Sequence, residues 1–137
     1  MTQTTSALAI AGVTERAVID YFTTFNRAAF TETASLFAET GELLAPFESP
    51  IVGRDNIAAY LDREAQGMTA ILKSGIAETE TDIIKYNVKG KVKTSLFSVN
   101  VAWYFILNSQ SQFTSVRIKL LASPQELLGL KSKREAK

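Results

Sequence analysis

With no cysteine and no histidine among its 137 residues, this chain must do any chemistry with carboxylates, amines, phenols and a single indole. Disulfides, thiolate nucleophiles, sulfur-ligated metals and imidazole bases are excluded with those two residue types. A carboxylate base or a tyrosine proton donor is what remains for catalysis. The one tryptophan, Trp103, lies in the run VNVAWYFIL at 99–107. In a strand, Val99, Val101, Trp103, Phe105 and Leu107 share one face, while Asn100, Ala102, Tyr104 and Ile106 share the other. Trp103 then points inward, carrying an N–H that needs an acceptor. Tyr21 belongs to a second apolar set, Val18, Tyr21, Phe22, Phe25 and Ala29, whose spacing predicts one face of a helix capped by Thr14. Tyr21 and Phe25 are stacked neighbours on that face.

The elements that must position these two side chains form an α+β pattern. Further helices are predicted at 31–38, with Ala34, Phe37 and Ala38 inward and Gly41 as the stop, and at 55–66, with Ile57, Tyr60 and Leu61 inward and Gly67 as the stop. A short strand at 42–45 precedes PFESPIVG, whose prolines and glycine break regular structure. From Met68 the period changes to two. Strands are predicted at 69–77, 82–94, 99–107 and 113–121, with a bulge or close backbone approach at Gly90 and a hairpin loop at NSQSQ. The stretch SPQELLGL opens with an N-cap serine and a first-turn proline, predicting a short helix from about 124. A curved, mostly antiparallel sheet wrapped around helices makes a cone with a cavity at its wide end.

The length suits one domain over 14–130, with a flexible segment at 1–13 and a basic tail at 131–137. Fifteen Lys and Arg against fourteen Asp and Glu leave a formal charge of +1, which argues against nucleic acid as a partner. No run approaches a membrane span, and the first residues lack the form of a signal peptide, so a cytoplasmic location is expected.

The segments YFTTFNRAAFTETASLFAETGELLAPFESPIVGRDNI, KVKTSLFSVNVAWYFIL and LLASPQELLGL resemble the C-terminal domain of the cyanobacterial orange carotenoid protein family. The resemblance covers about residues 14–130 and implies the nuclear-transport-factor-two-like fold. These 137 residues contain no segment resembling the helical carotenoid-binding domain, so a stand-alone C-terminal domain homologue is expected. The resemblance implies a non-covalently held keto-carotenoid, canthaxanthin or echinenone, whose ring carbonyl accepts hydrogen bonds from Tyr21 and Trp103. Phe25, Leu96, Phe97, Val101, Phe105 and Ile118 are expected to line the pigment. Glu64 matches an acidic residue that pairs with an arginine of the helical domain, an expected partner contact. Leu96 stands where the family has a tryptophan that helps dock that domain, in a segment shortened to SLFSVN, which argues against stable docking.

The function this implies is a water-soluble carrier. It takes keto-carotenoid from membranes by transient contact, at the thylakoid surface, and delivers it to helical carotenoid-binding proteins, with singlet-oxygen quenching as a further role. A domain with a radius of gyration of about 14 Å is too small to enclose such a pigment, so a homodimer sharing one carotenoid is expected. The absence of cysteine excludes a disulfide-linked dimer. The competing reading is an enzyme of the same fold, an isomerase or cyclase acting on a small apolar ketone, with Tyr21 as oxyanion donor. Asp20, Asp55, Asp62 and Glu64 are poorly placed as its base, and a non-enzyme is favoured. A third reading is a structural dimerisation module with a filled cavity. The terminal helix, through Leu127, Leu128 and Leu130, is expected to cover the outer face of the sheet near Tyr104, Ile106 and Phe113, as a fixed lid or a gate for the pigment.

Overall fold

The computed structural model describes residues 15–80 and 83–121. The terminal helix and tail, the segment 1–13 and the Thr14 cap all lie outside these residues. Helix α1 (Arg16–Asn26) is capped by the Glu15 carboxylate, which accepts from the Ala17 N–H. Its apolar stripe, Val18, Tyr21, Phe22 and Phe25, is buried. The chain then turns at Ala28, with φ 58°, into α2 (Phe30–Ser35), held against α1 by a buried Thr24–Thr33 hydroxyl pair at 2.7 Å. Ala29 is the N-cap of α2 rather than part of α1.

The second helix is shorter than its pattern predicts. Strand β1 (Phe37–Leu44) begins at once, because the Leu36 carbonyl accepts from the Phe113 N–H and so joins the sheet. Phe37 is fully buried as the first strand residue, and Gly41 lies inside the strand instead of ending a helix. A Cβ on Gly41 would stand 2.5 Å from the Phe113 carbonyl oxygen, which is why the close β1 crossing needs glycine.

A two-residue strand, β2 (Ile51–Val52), pairs antiparallel with β1 within the stretch expected to be irregular. Helix α3 (Arg54–Glu64) follows Gly53, which has φ 94°. It buries Ile57 and Leu61, half-buries Tyr60, and is tied to β1 by an Arg54 Nε–H donated to the Phe37 carbonyl at 2.8 Å.

Strands β3 (Thr69–Glu80), β4 (Ile83–Lys93), β5 (Ser98–Leu107) and β6 (Phe113–Leu120) form a meander. The sheet order is β2-β1-β6-β5-β4-β3, antiparallel except for the β1–β6 pair. The β4–β5 register runs without interruption, so Val88, Trp103 and Ile118 lie in one inward row and Tyr86, Phe105 and Val116 in the next. The alternation in VNVAWYFIL therefore has the faces its sequence predicts. Phe113 does not follow the alternation: it is fully buried against Tyr21, Phe37 and Phe105 on the inner face, not on the outer face beside Tyr104 and Ile106. At Gly90 the predicted irregularity is real, since β3 shifts register between Leu72 and Ser74 opposite it. Asn26 closes the helix layer onto the edge strand, its amide donating to and accepting from the Ala70 backbone.

Candidate functional site

The helices and the concave face of the sheet do not fill the space between them. They leave a cavity of about 610 Å³ beside Trp103. Trp103, Val101 and Ile118 form its sheet wall, while Phe25 of α1 and Leu61 of α3 face them. Trp103 is fixed by an edge-on contact with Phe22, with centroids 4.8 Å apart at 84°. At the mouth, Phe47 and Phe97 line the cavity while remaining 72% and 56% exposed. A cavity with so few polar groups selects apolar ligands and orients them by the donors it does hold.

Tyr21 is placed differently from the expectation of a wall residue. It lies one layer behind the cavity lining, packed among Phe22, Phe25, Phe37, Phe105 and Phe113, with Phe25 stacked on it at 6.2 Å and 9° and itself facing the cavity. Its hydroxyl is buried and makes no hydrogen bond, an arrangement that ordinarily costs stability. Burial pushes the phenol well above the usual tyrosine range and the nearby Tyr60 phenol raises it further, so Tyr21 stays a neutral donor.

This leads to a prediction with a sign. Tyr21→Phe should stabilise the ligand-free protein by about 1 kcal/mol, because it removes a polar atom that has no partner. Thermal denaturation reads this directly, and an unchanged or lowered midpoint would mean that the hydroxyl is satisfied in solution. Linkage adds a second readout. The folded-state value lies above the ordinary 10.0, so the native state loses stability as pH rises beyond that value and the unfolded chain ionises first. The phenylalanine variant should lose less over the same range.

Of the other expected residues, Phe25, Phe97, Val101 and Ile118 line the cavity. Leu96 and Phe105 do not. Leu96 is 86% exposed at the tip of the β4–β5 turn, and Phe105 sits two residues deeper along β5, sealed behind Phe22 and Tyr21. Glu64 borders the cavity and accepts from Arg63 Nε at 3.1 Å, in a half-exposed ion pair. It is the only carboxylate among the lining residues, and it sits at the periphery.

Tyr60, expected to face inward on its helix but not assigned to the site, is one of several further lining residues, which include Leu43, Phe47 and Val92. Burial raises its pKa, Glu48 and Glu64 raise it further, and Arg63, whose guanidinium stands 5.6 Å over the ring, opposes them. The signal was available: Tyr60, Leu61 and Glu64 recur at helical spacing and so share a face.

Residues 13–116 match the nuclear transport factor 2 (NTF2) domain. The chain is 41% identical over 126 residues to an orange carotenoid-binding protein of Limnospira maxima, covering 88% of this chain and 40% of that protein. It is 36% identical over 132 residues to the orange carotenoid-binding protein of Synechocystis, covering 93% and 42%. Among solved structures, the orange carotenoid protein of Anabaena (Nostoc), which binds canthaxanthin, superposes with a TM-score of 0.81 at 38% identity, over 90% of this chain and 41% of that one. The chain thus spans about two fifths of the length of these relatives.

Proposed function

Because the chain belongs to the nuclear transport factor 2 domain family, we propose that its apolar cavity holds one end of a keto-carotenoid, canthaxanthin or echinenone. The observation that carries this reading is an apolar cavity walled by Trp103 with the orphaned Tyr21 hydroxyl behind it. Those residues fit the pigment. An indole N–H and a phenol O–H both donate to a ring carbonyl, and neither brings a charge that would be costly to desolvate. A carbonyl reaching Tyr21 has to pass the edge of Phe25, so binding includes a shift of that ring. The resemblance to a canthaxanthin-binding protein of the same fold supports the ligand class. The pigment itself supplies the light absorption. This chain's residues bury it, orient its carbonyl and exclude water.

Energetically the two hydrogen bonds orient the ligand more than they anchor it. Each contributes about 1 kcal/mol net, whereas burial of a polyene at about 25 cal/mol per Å² of apolar surface contributes several times more. A cavity of about 610 Å³ takes one end of a long pigment and leaves the rest outside. A twofold homodimer, mouth to mouth, covers the other end of a symmetric diketo-carotenoid. The protein so described is a carrier and not an enzyme: it takes pigment from membranes and delivers it to helical carotenoid-binding proteins, and the bound pigment quenches singlet oxygen. The peripheral, ion-paired Glu64 supports the non-enzymatic reading, since a proton-abstracting base belongs beside the reacting carbon.

The test is the visible spectrum and the size of the protein purified from canthaxanthin-producing cells. A red-shifted band on a dimer is the expected result. A colourless protein that also takes up no pigment from membranes would overturn the proposal, and one pigment per chain in a coloured monomer would overturn the shared-ligand dimer.

A further inference from the structure

The formal charge of +1 conceals a strong segregation. Between Ile83 and Leu121 there are six Lys and Arg and no Asp or Glu. Strand register places these cations on one surface. Lys85, Lys89, Lys91 and Lys93 alternate along β4 on the outer face of the sheet, Lys89 and Lys119 flank Ala102 from both sides, and Arg117 stands opposite Tyr104. Lys119 Nζ lies 5.8 Å over the Tyr104 ring.

At the cavity end of this face, the β4–β5 turn holds the Leu96 side chain away from the protein and leaves Phe97, at the cavity mouth, more than half exposed. Leu96 is 86% exposed and Phe97 56% exposed. They are held there by structure: Thr94 Oγ1 accepts from both the Leu96 and Phe97 N–H groups at 3.1 Å, and the Thr94 N–H donates to the Phe97 carbonyl at 2.8 Å. Phe47, which also lines the cavity, is 72% exposed. The mouth is therefore rimmed by aromatic and aliphatic side chains beside a row of lysines.

From this arrangement we infer that the β4–β5 turn is a membrane-docking element: Leu96 and Phe97 enter the acyl boundary of a bilayer while Lys91, Lys93 and Lys119 bind anionic lipid headgroups. Charge complementarity selects an anionic surface, and the apolar tip selects a lipid one over a purely polyanionic partner. Lysine suits this position, because its alkyl stem lies along apolar material while the ammonium reaches the headgroups. Docked in this way, the cavity opens directly onto the bilayer, so a lipid-soluble molecule passes from acyl chains to Trp103 without crossing water. The inference rests on the carrier reading for its purpose, but its physical content is independent of any pigment.

The experiment is flotation of the full, ligand-free chain with phosphatidylcholine vesicles, with and without phosphatidylglycerol. Co-flotation with the anionic vesicles alone, weakening as salt rises, is the expected result. Lys93→Gln should weaken it about fivefold and Leu96→Ser about tenfold, and both should keep the parent's spectrum when loaded, since neither residue lines the cavity. Equal partition into both kinds of vesicle, no partition at all, or indifference to Leu96→Ser would overturn the inference. A protein that takes up pigment in cells yet floats with no vesicle defeats this inference and leaves the carrier reading standing; a colourless protein that floats does the reverse.

Discussion

Gly90→Ala should cost about 3 kcal/mol of folding stability, an unusually large loss for the addition of one carbon. The physical reason is backbone against backbone. A Cβ at Gly90 would lie 2.2 Å from the Ile71 carbonyl oxygen and 3.0 Å from the Leu72 Cα, and neither atom can rotate away as a side chain would. The β3 bulge between Leu72 and Ser74 depends on this approach, so relief requires β3 to move off β4. Val92, two residues along on the same face, lines the cavity, and the damage should reach the site as well. Urea denaturation checks the prediction: a midpoint equal to the parent's would mean that the two strands are not so closely apposed.

Trp103 gives the second large effect, and two substitutions separate its two roles. Trp103→Ala should destabilise the protein by about 3 kcal/mol, at the lower end for buried aromatic truncations because the residue already borders empty space. It should also weaken pigment retention. Trp103→Phe keeps a ring against Phe22 and should cost about 1 kcal/mol, yet it removes the N–H altogether. If that N–H donates to the ring carbonyl, it draws electron density along the conjugated chain, and its loss moves the absorption band to shorter wavelength. An unchanged band in Trp103→Phe would remove Trp103 from the carbonyl's partners, whatever its role in packing.

Some features of the fold were legible because they rest on local periodicity. The α1 stripe, the alternation around Trp103, the NSQSQ hairpin and the irregularity at Gly90 all follow from spacing or from one residue's sterics. What the sequence obscured depends on distant partners. The early end of α2 follows from the pairing of Leu36 with Phe113, which lies far along the chain, and Phe37 and Gly41 fit a helical pattern as readily as a strand. Phe113 takes the face opposite to the one simple alternation predicts because β5 and β6 shift register at their hairpin end, between Ile106 and Leu107. In the site, helix and strand faces put Phe25 on the α1 stripe and Val101 and Trp103 on the inner face of β5, while their meeting with Phe97 and Ile118 in one cavity followed from the family resemblance. They could not reveal that Phe25 screens Tyr21, which is a matter of depth rather than direction. The cationic face was invisible to a net charge, since acidic residues elsewhere in the chain cancel it.

The single parallel pair in the sheet bears on the order in which the molecule assembles. β3 to β6 each pair with the next strand in sequence, whereas Leu43 must find Val116, 73 positions along the chain. Closing so long a loop is entropically costly before any contact rewards it, so the β1–β6 pairing is expected to form late in folding. Docking of β1 also brings in the wall that carries Leu43, with α3 tethered to it through Arg54. Because Leu43 of β1 and Leu61 of α3 line the cavity together with Val92, Trp103 and Ile118 of the meander, the vessel is complete only once β1 has paired with β6.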